Sequence, residues 1–157
     1  MSGEHILFVD DEEQIRKLLS TYLTRQGYDV ATANDGLQAL KAIQSRAPDL
    51  VITDVGMPNM NGFELTRRLR ADHRTARTPI LMLSARKEAD DVLTGYSEGA
   101  DEYVSKPIEM AVLAAKIDVL LKRVRTTAVA SFVGGRRARD APSGFGLDRA
   151  PAQNALE

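Results

Sequence analysis

Asp49-Leu50-Val51-Ile52-Thr53-Asp54-Val55-Gly56-Met57-Pro58-Asn59-Met60-Asn61-Gly62 is the stretch that decides the fold. Leu50-Val51-Ile52 is an apolar run too short for a helix and of the kind that suits a strand buried on both faces. It meets an acid, Asp54, and then Gly56, Pro58, Asn59, Asn61 and Gly62 spell a loop. An acid at the mouth of a buried strand is fixed by a rigid element and still reachable from outside. Taken alone, the stretch serves equally well as a turn opened by Asp54, because Asp is common before Pro and Gly. The flanking sequence separates the two readings.

Upstream, Ile6-Leu7-Phe8-Val9 is another short buried-strand run, and it stops at Asp10 and Asp11. Ile15, Leu18, Leu19, Tyr22 and Leu23 then form one helical stripe. Asp11 with Gln14 has the spacing of a capping box, Glu12 and Glu13 suit the helix dipole, and Gly27 ends the helix. Residues 28–33 read as a weaker second strand. Asn34-Asp35-Gly36 turns into a helix carrying Leu37, Leu40 and Ile43, which stops before Pro48.

Downstream of the third strand, a helix starts at Asn61 or Gly62 with Phe63, Leu65 and Leu69 inward. Pro79-Ile80-Leu81-Met82-Leu83 is a fourth buried strand ending at Ser84. Residues 88–98 read as a helix with Val92, Leu93 and Tyr96, ended by Gly99. Glu102-Tyr103-Val104 is a fifth strand running into Ser105-Lys106-Pro107. The last helix, through residue 124, carries Met110, Leu113, Ala114, Ile117, Leu120, Leu121 and Val124. Strand and helix alternate throughout, which predicts an α/β fold: a doubly wound parallel sheet covered on both faces.

A chain of 157 residues, 43% hydrophobic and 27% charged with net charge −1, is long enough for a real core. That balance gives no electrostatic case for nucleic acid or an anionic membrane, and none is expected to bind residues 1–125. There is no cysteine, hence no disulfide or thiolate chemistry. The N-terminus does not read as a signal peptide, and no apolar run approaches the ~20 residues of a membrane span. The expectation is a soluble, cytoplasmic protein. Residues 126–157 hold four Gly, two Pro, seven Ala and four Arg without apolar periodicity. They read as a flexible tail or linker after a domain at 1–125.

In a parallel sheet, every strand end that feeds a helix lies at one edge, and ligands sit outside it. Strand one brings Asp10 and Asp11 to that edge, strand three Asp54, strand four Ser84, and strand five runs out to Lys106. Two carboxylates ~4 Å apart repel by roughly 4 kcal/mol at an effective dielectric of ~20. Such a group needs cationic help or a raised pKa. Lys106 offers one charge, and a largely hydrated Mg²⁺ shared with a phosphate oxygen offers two more. A carboxylate can itself act as a nucleophile toward phosphorus, with Lys106 and Ser84 on the phosphoryl oxygens.

With these residues in place, the chain resembles the receiver domain of two-component response regulators over residues 4 to about 124. The resemblance is carried by Val9-Asp10-Asp11-Glu12, Asp54 within Ile52-Thr53-Asp54-Val55-Gly56-Met57-Pro58, Asn61-Gly62, Ser84-Ala85, Gly99-Ala100-Asp101-Glu102-Tyr103 and Lys106-Pro107. It implies a flavodoxin-like fold with five strands in the order 2-1-3-4-5, five helices, and a cis peptide at Lys106-Pro107. Asp54 would be the phospho-acceptor. Asp10, Asp11, Asp54 and the main-chain carbonyl of Gly56 would hold Mg²⁺. Lys106 would pair with the phosphoryl group, while Ser84 and Tyr103 would be the switch residues. Gly56 and Arg86 stand at positions associated with the lifetime of the phosphoryl group.

The function so implied is a phosphorylation-dependent switch rather than an enzyme, catalysing only its own phosphorylation and dephosphorylation. It would be charged by a sensor histidine kinase or phosphotransfer protein and would read out through the face formed by residues 88–124. That face would serve an output partner or domain, or a homodimer. The chain would be a stand-alone receiver or part of a longer regulator with a DNA-binding or cyclase output. A haloacid dehalogenase-type phosphohydrolase also uses an Asp nucleophile and Mg²⁺, but it needs a second acid two residues on, where this chain has Gly56. A degenerate receiver that works without phosphate is opposed by the complete set of site residues.

Overall fold

The computed structural model describes residues 3–85, 89–107 and 109–133, with side chains described as far as residue 124. Its elements run β1(His5–Val9), α1(Glu13–Arg25), β2(Asp29–Ala33), α2(Gly36–Ser45), β3(Leu50–Thr53), α3(Gly62–Ala71), β4(Ile80–Ser84), α4(Ala89–Glu98), β5(Glu102–Ser105) and α5(Met110–Val133). All strand pairs are parallel, in the order β2-β1-β3-β4-β5. The expected flavodoxin-like arrangement of five strands and five helices is therefore present. The chain divides into two compact units, Met1–Leu121 and Lys122–Glu157. The sheet belongs to the first; the described part of the second, residues 122–133, is helical.

Alternation along the strands builds a core on each face of the sheet. Ile6 and Phe8 of β1, with Leu50 and Ile52 of β3, pack among Leu19 and Leu23 of α1 and Leu113 and Ile117 of α5. Leu7, Val9 and Val51 point the other way, onto Ala39 and Ile43 of α2 and Leu65 and Leu69 of α3. Beside α4, Val55, Met82, Ala100 and Tyr103 form a third cluster with Phe63 and Val92. Phe8, Ile6 and Leu50 have no exposed surface. Each such side chain contributes roughly 2 kcal/mol of transfer free energy.

Several local expectations are corrected. The Asp11–Gln14 capping box does not form. α1 begins at Glu13 with Glu12 as N-cap and no side-chain cap, so Asp11 lies one residue too early, and it is the Asp10 carboxylate that takes the Glu12 amide. Leu18 is 56% exposed, Leu37 50% and Leu93 65%, although each belongs to an apolar pattern. Helices lying on a sheet bury only a narrow stripe, and in α2 that stripe is Gly36, Ala39 and Ile43. α5 runs on to Val133, past residue 125 where the apolar periodicity ends. Loss of apolar periodicity removes the signal of a buried face; it does not stop the backbone, and Gly134 is the first Gly or Pro after Pro107.

Candidate functional site

The carboxyl edge of the sheet is built by continuing the β ladder one rung past the strands. Val9 is in register with both Ala33 and Thr53. The next amides keep pairing: Asp10 N donates to the Ala33 carbonyl at 3.1 Å and Asp54 N to the Val9 carbonyl at 2.9 Å. The ladder thus fixes the backbones of both acids side by side. On the other flank, Lys106 N donates to the Ser84 carbonyl at 2.7 Å, which carries Lys106 to the same edge. The Lys106-Pro107 bond is cis, as the resemblance implied.

Carboxylate oxygens of Asp10, Asp11 and Asp54 all lie within 4.8 Å of one another. Asp10 is completely buried; its Oδ1 accepts the Glu12 amide at 2.9 Å and its Oδ2 accepts Lys106 Nζ at 3.0 Å. Asp54 is also buried; its Oδ1 accepts the Val55 amide at 2.8 Å, and its Oδ2 lies 3.9 Å from Lys106 Nζ. Asp11 is exposed. Burial pushes the Asp54 carboxyl above the ordinary carboxylate range. Lys106 pulls it back, while Asp10 and Asp11 push it further up. This is the signature of an acid held among like charges in a partly desolvated place.

The donor set is one that suits a hard divalent cation. Three carboxylates converge, and the lysine is already engaged with Asp10 Oδ2. Unrelieved repulsion at Asp54 is what a cation such as Mg²⁺ would remove. Gly56 stands exposed in the loop just after Asp54, where a carbonyl could join this set.

Ser84 is buried at the carboxyl end of β4, and Tyr103 of β5 is buried against α4. A Cβ on Gly95 would come within 2.6 Å of the Tyr103 ring and 3.1 Å of Met82 Sδ, so this glycine makes the slot in which the ring rests. Arg86, one of the residues singled out for phosphoryl lifetime, lies outside the described residues, as do Glu88, where a helix was expected to begin, and Ile108.

The structure gives several residues a place at this edge that sequence reading did not assign to them. Arg16 of α1 donates from its guanidinium to the Asp10 carbonyl at 2.6 Å, bracing the turn between β1 and α1. Glu12 Oε1 lies 4.0 Å from Lys106 Nζ and adds a negative charge to the rim. Thr53 Oγ1 donates to the Asp54 carbonyl at 2.8 Å. A Cβ on Gly62 would overlap that same carbonyl oxygen, so the start of α3 closes tightly behind the acid. Arg16 sits on the polar side of the α1 pattern, where its sequence signal equals that of any solvated arginine.

A parallel five-stranded sheet with an acid triad and a lysine at its carboxyl edge is the architecture of a receiver. The model of the response regulator receiver domain family matches residues 6–118, and the chain belongs to that family. Among curated relatives, it is 44% identical over 118 residues to the transcriptional regulatory protein AfsQ1 of Streptomyces coelicolor, covering 75% of this chain and 51% of that protein. It is 42% identical over 129 residues to the alkaline phosphatase synthesis transcriptional regulatory protein PhoP of Bacillus subtilis, covering 82% of this chain and 53% of the relative. The chain thus spans about half the length of these relatives. Among solved structures, the chemotaxis protein CheY4 of Vibrio cholerae superposes with TM-score 0.72 at 34% identity, over 76% of this chain and 99% of that one. The receiver domain of the Francisella response regulator 1452 gives TM-score 0.72 at 30% identity, over 77% and 98%. Receivers are signalling domains rather than enzymes that turn over an external substrate. Among the described residues no helix is long and apolar enough to cross a membrane.

Proposed function

We propose that this chain is a cytoplasmic, phosphorylation-controlled switch with Asp54 as the phospho-acceptor. The observation that carries the reading is the convergence of Asp10, Asp11 and Asp54 within 4.8 Å, with Lys106 Nζ 3.0 Å from Asp10 and 3.9 Å from Asp54. A carboxylate oxygen of Asp54 forms the new bond to phosphorus. The bond from phosphorus to the imidazole nitrogen of the donor's phosphohistidine breaks, and the electron pair leaves with that nitrogen. Lys106 neutralises charge on the transferred group. Asp10, Asp11, Asp54 and the Gly56 carbonyl would hold Mg²⁺, which when bound screens charge on the phosphoryl oxygens. The donor is a sensor histidine kinase or phosphotransfer protein.

Charging Asp54 changes the electrostatic balance at the ends of β4 and β5. Ser84 and Tyr103 carry that change to the face of α4, β5 and α5, through which the domain meets its output partner or a second copy. Gly56 and Arg86 set how long the phosphoryl group survives. Residues 1–125 act as the receiver, and 126–157 serve as its tail or linker. Two relatives named as transcriptional regulatory proteins extend well beyond the matched segment, which makes up 51% and 53% of their length, and this favours a DNA-binding output over a stand-alone receiver. The first test is labelling by acetyl phosphate with Mg²⁺. Wild-type protein takes up phosphoryl and Asp54→Asn does not, while Lys106→Ala is labelled without a change in partner binding. Stoichiometric, acid-stable labelling of Asp54→Asn would refute the assignment.

A further inference from the structure

The loop between β3 and α3 is tied to the start of α2 by a clamp that the acid site does not itself use. Asp35, the N-cap of α2, spends its two carboxylate oxygens on different elements. Oδ1 accepts the Gln38 amide at 2.9 Å and caps the helix. Oδ2 accepts Asn59 Nδ2 at 2.7 Å, across to the loop. Beside this bond, Gly36 N donates to the Met60 carbonyl at 3.2 Å. A Cβ on Gly36 would stand 2.7 Å from Met60 Cβ, so only glycine lets the two segments come this close. The Gln38 amide and then the Asn59 amide hold the Asp35 carboxyl below the ordinary range, so the acceptor is the ionised acid. Asn59 has φ 67°, the left-handed region that asparagine tolerates better than most residues.

The same short loop carries Gly56. At its base, the Val55 carbonyl accepts both Met57 N at 3.1 Å and Gly62 N at 2.9 Å. With its base pinned there and Asn59 and Met60 pinned to α2, little freedom is left for the residues between. A backbone carbonyl on a free loop must be ordered as the cation binds, which weakens binding; a loop fixed beforehand avoids that cost.

We propose that Asp35 and Asn59 are positioning residues for the divalent-cation site. They fix the loop whose Gly56 carbonyl would join Asp10, Asp11 and Asp54 as a ligand. The proposal rests on the reading of that edge as a metal-assisted phosphoryl acceptor. It extends the site to a second layer on α2, because outer partners orient metal ligands that they do not touch.

Two variants isolate the clamp. Asn59→Gly keeps the left-handed backbone and removes the amide. Asp35→Ser keeps a good N-cap and removes the second oxygen. Mg²⁺ affinity is read by titration calorimetry, and amide hydrogen exchange of residues 56–60 is read without metal. Each variant is expected to raise the Mg²⁺ dissociation constant about tenfold, the low end of the effect of outer-shell partners. Exchange in the loop speeds up while the melting temperature stays near that of wild type. The reciprocal swap, Asp35→Asn with Asn59→Asp, rebuilds the bond in the opposite direction and recovers most of the affinity. Wild-type affinity in both single variants, or a swap no better than either, overturns the clamp's role. A wild-type protein that takes up no Mg²⁺ overturns the reading of the site and the clamp's role with it.

Discussion

Asp54 is predicted to cost this domain stability, so Asp54→Asn should make it more stable. The Asp54 carboxylate lies within 4.8 Å of those of Asp10 and Asp11. At an effective dielectric of ~20, each such pair repels by ~3.5 kcal/mol, roughly 7 kcal/mol for the two. Lys106 Nζ at 3.9 Å returns about 4 kcal/mol on the same scale. The balance is unfavourable by about 3 kcal/mol before burial is counted, and water around the exposed Asp11 reduces it. An asparagine keeps the shape and can still accept the Val55 amide that Asp54 Oδ1 accepts at 2.8 Å. We expect a gain of ~1–3 kcal/mol at neutral pH in a chelator, or roughly 4 °C in melting temperature per kcal/mol for a domain of this size.

The pH dependence carries the sign. The folded pKa of Asp54 is raised above the ordinary 3.8, first by burial. The folded state therefore holds its proton to higher pH than the unfolded chain does. Stability falls as pH rises from 3.8 through the raised value and is flat above it. Asparagine resembles the protonated acid, so its advantage is full at neutral pH and vanishes below 3.8. Millimolar Mg²⁺ narrows the gap from the other side, because it stabilises wild type by mass action and the variant less. The assay is thermal unfolding followed by circular dichroism across this pH range, with and without Mg²⁺. A variant that melts at or below wild type at neutral pH in chelator refutes the electrostatic account of the site.

Lys106→Met is expected to act in the opposite direction. It leaves the fully buried Asp10 without its 3.0 Å partner, and breaking a buried pair from one side costs about 3 kcal/mol; urea unfolding should show a lower midpoint, partly restored by Mg²⁺. Gly95→Ala gains ~1 kcal/mol of helix propensity but places a carbon 2.6 Å from the Tyr103 ring. Overpacking of this kind costs ~1–3 kcal/mol, so the ring should turn toward solvent. Nitration by tetranitromethane should then rise at Tyr103, with Tyr22, Tyr28 and Tyr96 as internal references.

The strands were legible because they are buried on both faces. Ile6–Val9, Leu50–Ile52 and Ile80–Leu83 are unbroken apolar runs, and unbroken runs with intervening helices specify a parallel sheet. Once the sheet is parallel, topology alone brings Asp10, Asp54 and Lys106 to one edge, as observed. Helix faces were less legible. Leu18 and Leu93 follow an apolar spacing yet face solvent, because periodicity marks a stripe without fixing how wide a sheet will cover it. The second layer of the site left no pattern at all. Arg16, Thr53 and Asn59 act through single hydrogen bonds to partners that are distant in sequence or backbone in kind, and neither periodicity nor motif spacing encodes such a bond.

The organisation of the edge follows from a conflict between charge and packing. Like charges gathered at 4.8 Å would drift apart on flexible elements. Here they are held by a ladder that continues past the strands at Asp10 and Asp54, by Arg16 on the Asp10 carbonyl, and by Thr53 and Gly62 closing on the Asp54 carbonyl. None of these contacts uses a carboxylate oxygen of the triad. The backbone is fixed while the carboxylates keep their repulsion. Among the described residues, Lys106 is the one side chain that bridges Asp10, Asp54 and Glu12, at 3.0, 3.9 and 4.0 Å. Any charge added at Asp54 must therefore change how Lys106 divides itself among them. Its amide is bonded to the Ser84 carbonyl at 2.7 Å, so the backbone of Lys106 is tied to the end of β4.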